Sequence, residues 1–169
     1  MRRLVSTLGH LDVVPALNEA EFQYLTGFAE TRRCARPEGP LWVPLDPFGR
    51  CSDRALTCSQ QDTRAADQPG LWCSWVPSCR GSCLTLLEGD EERGWVNHLA
   101  WLQYLLDTFL TPGARATQQE GFEEFSFDHV VSGAVATYTG DGRLALLKSD
   151  GRKVWEEVLR PPDVPEWLA

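Results

Sequence analysis

Apolar side chains recur at the helical period in two parts of the chain and predict two helices. The first spans residues 17–33, where Asn18 and Glu21 have the spacing of an N-terminal capping box. The second begins near residue 94, ends at a Thr-Pro-Gly sequence and is the more apolar of the two. On this helix Tyr104 is expected to point away from the buried stripe. That stripe is predicted to contain Trp95, Leu99, Leu102, Leu106 and Phe109.

Shorter apolar runs separated by turn sequences predict strands. "GLWCSWVP" (70–77) and "CLTLLEG" (83–89) have the pattern of a hairpin. Because both faces of this pair are apolar, we expect two central strands that are covered on both sides. Three further strands are predicted at about 126–139, 143–149 and 152–159, and Asp-Gly turns join them.

Together these elements predict an α+β fold, in which an antiparallel sheet of about five strands has two main helices packed on it. Residues 3–14 carry only a weak strand signal. We expect residues 1–160 to form a single domain with a long irregular loop at 43–70, which is either disordered or a binding loop. Residues 161–169 are predicted to form a Pro-rich tail.

The charge of the chain limits the partners that it can bind. A formal net charge of −8 is opposite to the basic surface that general nucleic-acid binding requires. An acidic surface favours instead another protein with a basic surface. No apolar run is long enough for a signal-peptide core or a membrane span, so we expect a cytoplasmic protein with no membrane partner. In that reducing compartment the six cysteines are expected to be mostly free thiols.

Three segments, "QPGLWCSWVPS", the helix containing "WLQYLLDTFLTPGA" and "FSFDHVVSGAVATYTGDGRLALLKSDGRKV", follow one another in a characteristic order. In this order they resemble a group of small, uncharacterised bacterial and phage proteins, most of them actinobacterial. The resemblance covers roughly residues 17–159 and implies a fold and a host, but no activity. "EGDEERGW" departs from the acidic stretch with an aromatic residue that the group carries after the second strand.

Cysteines near the predicted hairpin are candidates for metal binding. Cys79 and Cys83 have a spacing that zinc knuckles use. Cys73, Cys58 or His98 would have to complete such a site. Structural zinc sites normally contain two close pairs, and this chain has one, so the alternative is that the thiols are incidental core and turn residues. We therefore predict no cofactor, with zinc as the alternative.

The sequence contains no motif that indicates catalysis. His-Glu-x-x-His, Cys-x-x-Cys and a Gly-flanked nucleophile are all absent. Asp128 and His129 are adjacent, but consecutive side chains of a strand point to opposite faces, so the two are not expected to pair. A metal-dependent or thiol enzyme that uses the cysteines near 73–83 is the alternative to a binding protein.

The function that the sequence favours is a non-enzymatic, cytosolic protein-interaction module. The most specific version of this hypothesis is an inhibitory or immunity-like role against a basic partner, in a bacterial accessory or phage-related system. The long loop and the tail carry aromatic residues of the kind that anchor protein interfaces. The predicted binding residues are Trp42, Asp46, Phe48 and Trp167.

Overall fold

The structure, a computed structural model of the chain, describes residues 4–58, 63–88 and 96–164. It contains one six-stranded antiparallel sheet and two helices. The α+β class predicted from the sequence is therefore confirmed, and the sheet has one strand more than the predicted five. The additional strand comes from the N-terminal residues.

The strands, in chain order, are β1 (Leu4–Val14), β2 (Trp75–Ser78), β3 (Cys83–Leu86), β4 (Val130–Thr139), β5 (Leu144–Asp150) and β6 (Val154–Arg160). The helices are α1 (Glu19–Glu30) and α2 (His98–Leu105), and a π-helical turn, Leu106–Leu110, continues α2. Across the sheet the order is β2-β3-β1-β4-β5-β6, with every neighbouring pair antiparallel. The N-terminal strand thus lies in the middle of the sheet.

β1 is the strand that the sequence signal underestimated. Leu11 and Val13 are buried on the helix side, whereas the alternate residues are polar or exposed. Gly9, inside the strand, has a φ of 100°, and a Cβ at this position would lie 3.0 Å from the carbonyl oxygen of Ala134. Only glycine fits this close approach without strain. A glycine inside a half-polar strand weakens the sequence pattern that predicts it.

The hairpin of β2 and β3 forms as predicted, but it is shorter. β3 lies between β2 and β1, whereas β2 is the edge strand, so the prediction of two central strands is wrong for β2. Its apolar residues face different surroundings. Trp75 is buried on the helix side, and its Nε1 donates a hydrogen bond to the carbonyl oxygen of His98 at 2.8 Å. Val76, on the other face, is only half-buried. Helices cover this hairpin on one face, and its outer edge has no neighbouring strand among the described residues.

Both helices begin at asparagine caps. Asn18 and Glu21 form the predicted capping box, with backbone-to-side-chain hydrogen bonds of 2.9 and 2.8 Å in the two directions. Asn97 caps α2 by accepting a hydrogen bond from the backbone N–H of Ala100. Trp95, which was predicted for the buried stripe, lies outside the described residues.

Tyr104 is buried, which contradicts the expectation that it faces away from the core. Its ring centroid lies 5.4 Å from that of Trp101 and 6.3 Å from that of Phe28. Its hydroxyl accepts a hydrogen bond from Nε2 of Gln68, in the irregular loop. α2 therefore packs on the sheet with one side and against α1 and the loop with another, so its buried surface is wider than a single stripe.

The irregular loop is held in place by the buried guanidinium group of Arg33. This group donates hydrogen bonds to the carbonyl oxygens of Thr31, Pro40 and Trp42, at 3.1, 3.2 and 2.7 Å. It also lies 4.3 Å above the ring of Phe28. One side chain thereby fixes the path of the chain that leaves α1.

A disulfide between Cys34 and Cys58 closes the first part of the loop. The sequence analysis did not predict this bond, although the four other cysteines are free thiols as expected. Disulfides are rare in a reducing compartment, so the bond does not support the cytoplasmic expectation. In the tail, where residues 161–164 are described, the backbone N–H of Asp163 donates a hydrogen bond to the carbonyl oxygen of Asp141.

Candidate functional site

The sheet face opposite the helices exposes large apolar side chains to solvent. Leu8 is 77% exposed and Trp155 is 39% exposed, which shows that no described element covers them. Exposed apolar surface of this kind is typical of an interaction site. We call this surface the open sheet face. Its apolar residues include Leu8, Ala134, Ala136, Tyr138, Leu144, Leu146 and Trp155.

The strand register places these residues side by side. Leu8 on β1 is directly opposite Ala136 on β4, and Ala136 is opposite Leu146 on β5. In the next row Ala134 is opposite Lys148 on β5, and Lys148 is opposite Trp155 on β6. Because small alanines occupy the central strand and larger side chains flank them, the face has a shallow apolar centre.

The charged side chains of this face are mostly paired. Lys148 forms an ion pair with Glu157, and Arg160 forms one with Asp163 at 2.7 Å. The Asp150 carboxylate accepts hydrogen bonds from two backbone N–H groups of the β5–β6 turn. These hydrogen bonds hold the pKa of Asp150 below its usual value, so the carboxylate stays charged. The face therefore combines an apolar centre with a negative charge at its border.

At the β1–β3 end of this face, three metal-ligating side chains converge, and a fourth lies beside one of them. We call this group, which consists of His10, Asp12, Cys79 and Cys83, the thiol–histidine corner. His10 and Asp12 are two residues apart on β1 and point to the same face, and Cys83 is directly opposite Asp12. The ligand atoms of His10, Asp12 and Cys83 all lie within 4.8 Å of one another. The Cys79 thiol is hydrogen-bonded to the Cys83 thiol, and both are free.

The turn that carries Cys79 is pinned to the chain between β1 and α1. Gly81 has a φ of 92°, and its carbonyl oxygen accepts a hydrogen bond from the backbone N–H of Leu17. A Cβ at Gly81 would lie 2.7 Å from the carbonyl oxygen of Leu17. Cys79 and Arg80 also have positive φ angles, of 50° and 56°. Such angles are uncommon for residues other than glycine. A tightly constrained turn thus holds Cys79 beside Cys83.

Three of the predicted ligands lie elsewhere. Cys73 is fully buried, and its sulfur is 3.6 Å from the carbonyl oxygen of Trp75, on the helix side of the sheet. His98 begins α2, where its Nδ1 lies 2.8 Å from the Ser74 hydroxyl and its ring lines a cavity of about 200 Å³. Burial lowers the pKa of His98 to about 4, so the ring is neutral at physiological pH. Cys58 is in the disulfide.

Of the predicted metal ligands, Cys79 and Cys83 lie together in the structure. His10 and Asp12, which were not predicted, lie beside them. Strand pairing brings the latter two to the thiols, and the spacing along the chain contains no signal of it. The His-x-Asp alternation on an exposed strand face was the one hint available.

A second polar cluster, of Glu21, Ser126 and His129, has the residue types of a catalytic triad. In a triad, the serine and the acid contact opposite ring nitrogens of the histidine. Here Ser126 Oγ and Glu21 Oε2 both lie 3.1 Å from Nε2 of His129. The other ring nitrogen, Nδ1, lies 2.7 Å from the carbonyl oxygen of Pro15. The serine and the acid therefore share one ring nitrogen, and the cluster lacks the arrangement of a triad.

Asp46 and Phe48 lie at the tip of the loop. Asp46 Oδ1 accepts hydrogen bonds from the backbone N–H groups of Phe48 and Arg50, at 2.8 and 2.9 Å, and these bonds keep its pKa below the usual value. Asp46 thus shapes the turn. Phe48 is 77% exposed, and the guanidinium group of Arg50 lies 5.5 Å from its ring centroid.

Trp42 is half-buried further back in the loop, between two cations. The guanidinium groups of Arg36 and Arg54 lie 4.8 and 5.1 Å from its ring. The surroundings of Trp42 are therefore not the acidic surface that the charge of the chain led us to expect at the binding site. Trp167, the fourth predicted binding residue, lies outside the described residues.

In the part of the chain that the structure describes, no helix is long and apolar enough to cross a membrane. No family model matches the chain, and neither a curated protein nor a solved structure shows significant similarity to it. The features of the described structure that bear on function are the open sheet face and its thiol–histidine corner.

Proposed function

We propose that this protein is a non-enzymatic protein-interaction module and that its partner, a protein with a basic surface, docks on the open sheet face. The observation that carries the proposal is the exposure of large apolar side chains, above all Leu8, on that face. The net charge of −8 supports the choice of a basic partner, because long-range attraction speeds encounter and disfavours acidic competitors. An inhibitory or immunity-like role in a bacterial or phage-related system belongs to the same proposal.

The open sheet face provides part of the area that specific binding needs. Six strands spaced by about 4.8 Å give a width of about 24 Å, and seven residues at about 3.3 Å each give a length of about 23 Å, although β2 and β3 are shorter. The projected area is then at most about 550 Å², before the relief of the side chains is counted. Stable complexes bury about 800 Å² on each partner. A partner that covers the face and part of its border would reach this value.

The cytosol is the compartment that we propose, and the Cys34–Cys58 pair tests it. Four of the six cysteines are free thiols, which suits a reducing compartment. Alkylation in intact cells before lysis distinguishes the two states of the pair. A dithiol in cells supports the cytosol, and a disulfide in cells would place the protein in an oxidising compartment.

Affinity capture from the native host tests the proposed function, with two equally exposed apolar residues as matched variants. Leu8 lies on the open sheet face and Phe48 on the loop, and each is 77% exposed. We expect wild type and Phe48→Ser to retain the same basic protein, and Leu8→Ser to bind it about tenfold more weakly or worse. We also expect salt to release it.

Three results would count against the proposal. Loss of capture with Phe48→Ser alone would place the contact on the loop, as the sequence analysis predicted. Capture of an acidic protein would remove the electrostatic argument. Retention of no protein by the wild type at low salt would remove the interaction module itself.

A further inference from the structure

The thiol–histidine corner contains the donor set of a transition-metal site. We propose that His10, Asp12, Cys79 and Cys83 bind one divalent ion of the zinc class, which ties β1 to the turn between β2 and β3. The proposal is independent of the docking of a partner, because it concerns one corner of the sheet and is tested on the isolated protein.

Strand pairing places three of the four donors on one side of the sheet. Antiparallel pairing sets Cys83 directly opposite Asp12, and the two-residue repeat of a strand puts His10 on the same face. The Cys79–Cys83 hydrogen bond brings in the fourth donor from the constrained turn. These contacts come from three segments of the chain, so an ion here would cross-link structure that is distant in sequence.

The distances are close to those of a tetrahedral site. Bonds of about 2.0–2.3 Å to zinc place ligand atoms about 3.3–3.8 Å apart. The three ligand atoms of His10, Asp12 and Cys83 already lie within 4.8 Å of one another. His10 and Asp12 have side chains that are 51% and 64% exposed, so they are able to rotate toward the buried Cys83 sulfur.

The donor types select the metal. Two thiolates and an imidazole are soft or borderline ligands, which favour zinc over calcium and magnesium, because the latter take oxygen donors. Zinc binds the thiolate form of cysteine, so binding should release thiol protons and weaken as the pH falls.

Cobalt(II) is the probe that reports this geometry directly. The full chain, with Cys79 and Cys83 reduced and oxygen excluded, is titrated with cobalt(II) chloride and then with zinc chloride. We expect one equivalent of cobalt to bind, with the intense visible bands of a tetrahedral ion and a near-ultraviolet thiolate charge-transfer band. Zinc should abolish both signals, because it competes for the same site.

Matched variants assign the ligands. Cys79→Ser and His10→Gln change exposed side chains. Loss of an outer-shell partner weakens metal binding by about 10- to 100-fold, and we expect each of these variants to weaken cobalt binding by at least that factor. Cys51→Ser, which alters a free thiol outside the corner, should bind as the wild type does. Circular dichroism confirms that each variant is folded. Cys83 is buried, so it is left unchanged.

Each result of the cobalt titration either supports or overturns the proposed metal site. Absence of the cobalt bands in the reduced wild type, or bands that survive both Cys79→Ser and His10→Gln, would overturn the proposal. Bands that disappear in Cys51→Ser would overturn it as well, since the thiolates would then lie elsewhere. Failure here leaves the capture experiment unaffected, so the two proposals can fail separately.

Discussion

Oε2 of Glu21 lies 3.1 Å from Nε2 of His129, and both side chains are only 1% exposed. The same carboxylate accepts a hydrogen bond from the backbone N–H of Asn18, which completes the helix cap, and one from the backbone N–H of Ser126 at 2.7 Å. One buried group therefore caps α1 and fixes the chain that enters β4. It joins the N-terminal and C-terminal halves of the domain.

Glu21→Gln should destabilise the protein in a pH-dependent way. Burial by itself raises the pKa of Glu21, but the Asn18 and Ser126 N–H groups and the His129 ring outweigh it, and the pKa lies below its usual value. A lowered pKa gives stability that is present above the unfolded value and is lost as pH falls through the folded value. We expect a loss of about 3–5 kcal/mol in the free energy of unfolding at neutral pH. Urea unfolding from neutral pH to about pH 3 should show this difference shrink.

The control for this variant is Glu19→Gln in the same helical turn. Glu19 is exposed, so its replacement should change the free energy of unfolding by no more than about 0.5 kcal/mol. A Glu21→Gln penalty that is the same at every pH would contradict the account, because the titration of Glu21 would then contribute nothing.

Arg33→Lys should loosen the loop although it keeps the charge. Burial lowers the pKa of Arg33 to about 10, so the side chain is still protonated at neutral pH. A lysine ammonium lacks the planar fork that reaches three carbonyl oxygens at once. We expect the free energy of unfolding to fall by about 2–3 kcal/mol, measured by urea unfolding. Arg64→Lys, at an exposed position of the same loop, should be nearly neutral, and equal effects of the two variants would contradict the role given to Arg33.

Gly81→Ala and Gly113→Ala separate a steric clash from a backbone preference. Both glycines have positive φ, at 92° and 80°. Alanine at Gly113 would meet nothing within 4 Å and should cost about 1–2 kcal/mol for the left-handed backbone alone. Alanine at Gly81 would meet the Leu17 carbonyl oxygen and should cost about 1–3 kcal/mol more. Thermal unfolding measures both, and equal losses would show that the turn is free to move away.

The disulfide predicts a specific thiol count. Denatured but unreduced protein should alkylate at four cysteines, and reduced protein at six. Cys34→Ser should lower the free energy of unfolding by about 3–4 kcal/mol, because the bond closes a segment with a sequence separation of 24. Six reactive thiols in the unreduced protein would contradict the bond. Cys51→Ser serves as the control, since Cys51 is free.

Local signals predicted the parts of this fold that depend on neighbouring residues. The Asn18–Glu21 box and the Asp-Gly turns between β4, β5 and β6 were visible in the sequence because cap and turn chemistry acts over a few residues. The strand signal of β1 was weak because this strand depends on its neighbours. The close approach of Gly9 to β4 and the polar alternate residues are explained only by the pairing of β1 with β4.

The candidate site was less predictable for the same reason. Cys79 and Cys83 are close in sequence, and their pairing as metal ligands was the alternative to incidental thiols. His10 and Asp12 reach them through the pairing of β1 with β3, which no spacing along the chain encodes. The Cys34–Cys58 bond and the burial of Arg33 arise from the path of an irregular loop, which has no periodic signal. The resemblance to small actinobacterial and phage proteins stays a prediction.

Site-specific photo-crosslinking in the native host tests the central claim, that a basic protein docks on the open sheet face. A photoreactive phenylalanine analogue is placed at Leu8 in one sample and at Phe48 in another, and the two positions are equally exposed. We predict a single crosslinked protein with a basic isoelectric point from position 8 and little or none from position 48. A crosslink from position 48 alone, or an acidic partner at position 8, would contradict the claim.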